Sequence, residues 1–157
     1  MSATQPHIWV FFYGTFMNRD VLIDHGVTPA SLAPARLNGF ELNVRPRVNL
    51  SPSDQTCAYG AIAAVTHEDL SRLYSDLEKV FGVKYSAQPV LADTLDGFFK
   101  PVLCFIAQHM IESPPAREYV THLAECVRAA GLPEWYANFV ESFGPKEEGS
   151  SEQGKNQ

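Results

Sequence analysis

Apolar positions in this chain follow three rhythms. Ile8-Trp9-Val10-Phe11-Phe12-Tyr13 runs without a polar break and stops at Gly14. The run is β-branched and aromatic and too short for an independent helix, so it predicts a strand buried on both faces. Ala35 to Val44 alternates instead, with Leu37, Phe40, Leu42 and Val44 as the apolar set. That predicts a half-exposed strand with an irregularity at Gly39. Cys57 to Val65 is a second buried-strand candidate, built of small residues. Tyr85 to Leu91 and Phe98 to His109 are two more strands, with Asp96-Gly97 as a hairpin-type turn between them. The third rhythm is helical. Leu70, Leu73, Leu77 and Phe81 form the inner stripe of a helix that Thr66 opens, with Asp69 three residues on as a near-match to a capping box.

Punctuation fills in the rest. A short helical pattern runs from about residue 19 to His25 and ends near Gly26. Arg45 to Gln55, with Pro46, Pro52 and several polar residues, reads as a loop. Ser113-Pro114-Pro115 opens a helix whose inward positions are Tyr119, Leu123, Val127 and Ala130, and Gly131-Leu132-Pro133 stops it. Pro133 starts a last helix with Trp135, Tyr136, Phe139, Val140 and Phe143 as a wide apolar face. Residues 1–6 are polar and expected to fray, and the polar segment 144–157 is expected to be disordered. The expectation is one mixed α/β domain of the α+β type over residues 1–143. It has five strands, helices after the first and third, and a helical C-terminal end.

Composition narrows the function classes. The chain has 157 residues, enough for one domain with a real core, and a net charge of −6, the wrong sign for neutralising phosphates. Nucleic acid is therefore not an expected partner. No apolar segment reaches the length of a membrane span, and no secretory signal is evident. Cys57, Cys104 and Cys126 form no CxxC pair, so a reduced, cytoplasmic protein is expected. The histidines never show metal-ligand spacing, and no nucleotide-binding or serine-hydrolase motif occurs. No metal and no cofactor are expected.

Several short motifs, in order, carry a resemblance. Tyr13-Gly14-Thr15-Phe16-Met17 resembles the signature at the first strand of the γ-glutamylcyclotransferase-like proteins, which include the γ-glutamylamine cyclotransferases and the AIG2-like proteins. Leu37-Asn38-Gly39-Phe40-Glu41-Leu42 and Ala58-Tyr59-Gly60-Ala61-Ile62 are similar to that family's next two strands. Asp69-Leu70-x-x-Leu73 resembles the start of its acid-bearing helix, Ser113-Pro114 with Tyr119 its next helix start, and Gly131-Leu132-Pro133-x-x-Tyr136 its closing motif. The resemblance covers roughly residues 8–142 and implies a small barrel-like mixed sheet with flanking helices.

The resemblance also implies a chemistry. A γ-glutamyl small molecule would cyclise to 5-oxoproline and release an amine. The attack is intramolecular, so the protein supplies proximity and a carboxyl group that moves protons, and no nucleophilic side chain. The family places that glutamate in a Leu-Asp-x-x-Glu-Gly pattern. This chain reads Leu73-Tyr74-Ser75-Asp76-Leu77-Glu78-Lys79, with the glutamate one residue late. Asp76 and Glu78 are both candidates for the catalytic acid, and the spacing to Tyr85 favours Glu78. Tyr13, Gly14, Thr15, Phe16, Met17, Tyr85 and Tyr119 are the implied substrate-binding residues. Backbone N–H groups of Gly14 to Met17 would hold a carboxylate or a developing oxyanion. The altered pattern also admits a non-catalytic relative that keeps the pocket as a small-molecule binding site. A third reading is an interaction protein that pairs through its C-terminal aromatics. Arg45 and Arg47, flanking Pro46, are either exposed loop residues or receptors for a substrate carboxylate. The leaving group and the oligomeric state are not fixed by the sequence.

Overall fold

A computed structural model describes residues 6–145 of the chain. The fraying expected of residues 1–5 and the disorder expected of residues 146–157 lie outside the described residues. In chain order, the elements are β1 (His7–Phe12), a 3₁₀ turn (Thr15–Met17), α1 (Arg19–Asp24), β2 (Ser31–Val44) and β3 (Val48–Thr66). Then come α2 (His67–Phe81), β4 (Tyr85–Asp93), β5 (Phe99–Ala107), α3 (Arg117–Ala129) and α4 (Glu134–Glu141). The strands close into a mixed barrel in the order β1-β3-β2-β4-β5. Only β1 and β5 run parallel; the other pairs are antiparallel.

The strand rhythms resolve as expected where burial drives them. Val10, Phe11 and Phe12 at the end of β1 are buried on both faces, whereas His7 at its start is exposed. The irregularity at Gly39 is a register shift between Asn38 and Phe40, with Gly39 at φ +87. Thr66 caps α2 by accepting the Asp69 N–H at 3.1 Å, so the capping signal holds.

Three expectations need correction. Arg45 to Gln55 is not a loop: only the hairpin turn at Arg45–Arg47 is, and β3 begins at Val48. Val48 pairs with Val44 and Leu50 with Leu42, and burying these apolar side chains outweighs the proline signal. Pro52 sits opposite Phe40 beside the bulge, a position where a missing N–H is tolerated. Second, α3 begins at Arg117 with Ala116 as its unassisted cap, four residues after Ser113. Pro114 and Pro115 hold the residues before them extended and delay the helix. Third, the stripe on α2 is buried only at Leu70 and Leu73; Leu77 is partly buried and Phe81 is 46% exposed.

Two features fix the barrel. At Gly60 an added Cβ would lie 2.2 Å from the Phe12 carbonyl oxygen, so the close approach of β3 to β1 requires glycine. Between β2 and β4 the ladder has a single rung, Arg36 opposite Asp93. The rung is reinforced by an ion pair, Arg36 Nη2 to Asp93 Oδ2 at 2.6 Å, and the carboxylate also accepts the Leu95 N–H at 2.9 Å. The Leu95 N–H and then Arg36 hold the Asp93 carboxyl below its ordinary value of 3.8.

Gly60→Ala is expected to destabilise the fold by about 2–3 kcal/mol, because the new methyl group meets main chain that cannot rotate away. Urea denaturation measures this. Because the Asp93 carboxyl is depressed in the folded state, its stabilisation is fully present above the unfolded value of 3.8 and disappears as pH falls through the folded one. In Asp93→Asn, urea midpoints measured from neutral pH into acid will start lower and show a shallower acid limb than in the unmodified protein.

Candidate functional site

At the C-terminal end of β1 the chain turns through Tyr13 and Gly14 into the 3₁₀ turn. The inner wall of this turn bounds a narrow cavity of about 40 Å³. Phe12, Tyr13, Gly14, Thr15 and Phe16 form one side; Tyr74, Leu77, Phe81, Val83 and Tyr85 form the other, and Arg47, Val48 and Tyr119 close it. Gly14 is not left-handed, with φ −114; glycine is needed here because a Cβ would come within 2.8 Å of Val48 Cγ1. None of the hydrogen bonds among the described residues uses the N–H of Gly14, Thr15 or Phe16, so these donors remain for a ligand.

The peptide groups at Val48 locate the opposite wall. The Val48 N–H donates to the Tyr119 hydroxyl at 3.1 Å, and the Tyr85 hydroxyl donates to the Val48 carbonyl at 2.8 Å. One hairpin end is thereby tied to α3 and to β4. Tyr13 donates its hydroxyl to the Phe105 carbonyl at 2.5 Å. Tyr74 stacks on Phe105 at 4.0 Å and 7°, and meets Phe16 edge-on at 5.9 Å. The cavity is thus an aromatic slot with few free side-chain donors.

Beside the Thr15 and Tyr74 hydroxyls, Arg47 is the charged donor among the described lining residues. Its guanidinium lies 3.7 Å over the Phe81 ring and 3.9 Å over the Tyr119 ring, between two aromatic faces. No ion pair among the described residues involves Arg47. A half-buried cation between rings, with no carboxylate beside it, is a receptor for an anion. From the sequence, Arg47 is either an exposed loop residue or a carboxylate receptor; the Val48, Leu50 alternation just after it marks a strand and is the kind of signal that places it at a wall.

The predicted site residues divide. Tyr13, Gly14, Thr15, Phe16, Tyr85 and Tyr119 come together around the cavity. Met17 is fully buried and lies outside the cavity wall. Glu78 is exposed, and it borders a different, shallower hollow with His67, Ser71 and Lys84 on the far side of Tyr74. Asp76 is exposed as well and lines neither hollow. Between them Leu77, four residues after Leu73 where the family pattern has its glutamate, points into the cavity. At about 100° per residue on a helix, a slip of one position carries a side chain from the cavity face to the flank. Among the described residues, no carboxylate lines the cavity.

The phenols in the wall are neutral at neutral pH. Burial pushes the Tyr13 and Tyr74 phenols well above their ordinary value. Burial raises Tyr85 too, and raises Tyr119 against the opposing pull of Arg47 and the Val48 N–H. Behind the wall, burial pushes the Cys104 thiol up to about 12. None of these is a base at neutral pH. Among the described residues no group of three His, Cys, Asp or Glu side chains could hold a metal, and no helix is long and apolar enough to cross a membrane.

Solved structures share this architecture. One described as a gamma-glutamyl cyclotransferase superposes with a TM-score of 0.75 over 90% of this chain and 90% of its own, at 17% sequence identity. The chain has the γ-glutamyl cyclotransferase fold. A human structure, described as uncharacterized protein loc79017, shares the fold at TM-score 0.74 and 18% identity over 91% of each chain. A mouse AIG2-like protein does so at TM-score 0.55 and 20% identity, over 68% of this chain and 81% of its own. No family model matches the sequence, and no curated protein matches it. Identities this low carry the γ-glutamyl cyclotransferase fold across and leave the chemistry to the residues in the cavity.

The Val48 anchor is open to test. Tyr119→Phe leaves the Val48 N–H without its acceptor and Tyr85→Phe leaves the carbonyl without its donor. Each is expected to cost about 1–2 kcal/mol in urea denaturation. Their double variant should cost less than the sum, because both bonds hold the same strand end.

Proposed function

We propose that this protein is a small-molecule-binding member of the fold. It holds the carboxylate-bearing end of a slender ligand of the γ-glutamyl type in the aromatic cavity without cyclising it. The observation that carries this reading is the composition of the cavity wall among the described residues: an unpaired guanidinium, three unused backbone N–H groups and no carboxylate. Cyclisation needs a base to take the proton of an ammonium group and an acid to return it to the leaving amine. Leu77 occupies the position from which a carboxyl group would act, and the phenols around it, neutral at neutral pH, are pushed further up by burial. What the wall offers instead is charge-assisted hydrogen bonding to an anion and aromatic faces for an aliphatic chain. All three cysteines are free, which supports the cytoplasmic reading.

Incubation with a panel of γ-glutamyl amino acids and amines, monitored for 5-oxoproline and by calorimetry for binding, tests this proposal. Binding without product is expected. Arg47→Met should weaken that binding by about ten-fold or more, the effect of losing a charge-assisted contact. Glu78→Gln should leave it unchanged. Formation of 5-oxoproline that disappears in Glu78→Gln would overturn the reading and return the chain to the cyclotransferases.

A further inference from the structure

Arg47 also borders a second, much larger hollow. On its outer side lies a groove of about 510 Å³ floored by Leu50, Ile106 and Ala107. Its rim carries Arg45 and Glu112, and its wall the side-chain amides of Asn43 and Gln88. Arg45 Nε and Glu112 Oε1 stand 3.6 Å apart, with 45% and 63% of their side chains exposed. That separation is longer than a charge-assisted hydrogen bond, and exposed pairs of this kind contribute little. Exchanging either partner for a ligand group therefore costs little. Asn43 uses only its Oδ1, which accepts the Val44 N–H at 2.9 Å, so its NH₂ group is left for a ligand.

The charges on this rim choose the ligand. A lone anion drawn to Arg45 would face the Glu112 carboxylate, and a lone cation drawn to Glu112 would face Arg45 and Arg47. A neutral molecule with both charges a few ångströms apart meets neither penalty. We propose that this groove is a second subsite that takes an amino-acid-type zwitterion, its carboxylate on Arg45 and its ammonium on Glu112. Because Arg47 belongs to both hollows, a molecule could carry an amino-acid end in the groove and, a few atoms on, the carboxylate held in the cavity. This last step rests on the function proposed above; the groove itself does not.

Fragments separate the two. Alanine probes the groove, pentanoate probes the cavity, and N-acetylalanine methylamide is a charge-free control, each titrated into the ¹⁵N-labelled full-length protein and followed by NMR. Alanine is expected to shift the signals of Arg45, Gln88 and the Asn43 side-chain amide, still to bind when pentanoate is saturating, and the control to shift none of them. Arg45→Gln and Glu112→Gln should each weaken alanine about five-fold and leave pentanoate unchanged, which also shows that the variants are folded. Alanine that shifts no groove signal, or binds both variants as it binds the unmodified protein, overturns the subsite. Pentanoate that fails to bind while alanine does would refute the cavity reading and leave the groove standing.

Discussion

Two tyrosine hydroxyls take up the N–H and the carbonyl of Val48, one from α3 and one from β4. Buried main-chain groups must find partners, and at this strand end the partners are side chains from elements far along the chain. That constraint shapes everything nearby. It sets Val48 against Gly14 so closely that a methyl group there would not fit. It also places the Arg47 guanidinium between Phe81 and Tyr119. A cavity edged by three unused N–H groups and one cation follows from how one hairpin is tied down.

The barrel around it is closed unevenly. β2 and β3 share a long ladder, and so do β4 and β5, whereas β2 meets β4 at one rung that depends on Arg36 and Asp93. The strands diverge beyond that rung, and the amide-lined groove opens between the ends of the two ladders. Cavity and groove are therefore two sides of one structural decision. One hairpin end lines both: Arg47 and Val48 border the aromatic slot, and Asn43, Arg45, Arg47 and Leu50 border the polar hollow.

The C-terminal aromatics do less than their pattern suggested. Tyr136 and Val140 are buried in the core, whereas Trp135 and Phe139 remain 58% and 40% exposed. Tyr59 on β3 packs edge-on against Trp135 and Tyr136, and α3 packs against α4, so the apolar face of α4 is covered by α3 and by one aromatic of the barrel. A wide apolar face on a short helix is satisfied here by aromatic edges, and the surplus is left in solvent.

The sequence by itself determined the five strands and the helix after the third, because hydrophobic period and turn chemistry are local properties. It misjudged the start of β3, where two prolines signalled a loop, because pairing with β2 across a turn is not visible from either strand alone. It also could not say which way the end of α2 faces. Asp76, Leu77 and Glu78 are adjacent in the chain, yet only Leu77 enters the cavity. That choice follows from the rotation of α2 about its axis, which Leu70 and Leu73 set by packing against the barrel. Helix rotation and the convergence of Arg47, Tyr85 and Tyr119 are products of tertiary packing, and they decide what this cavity can bind.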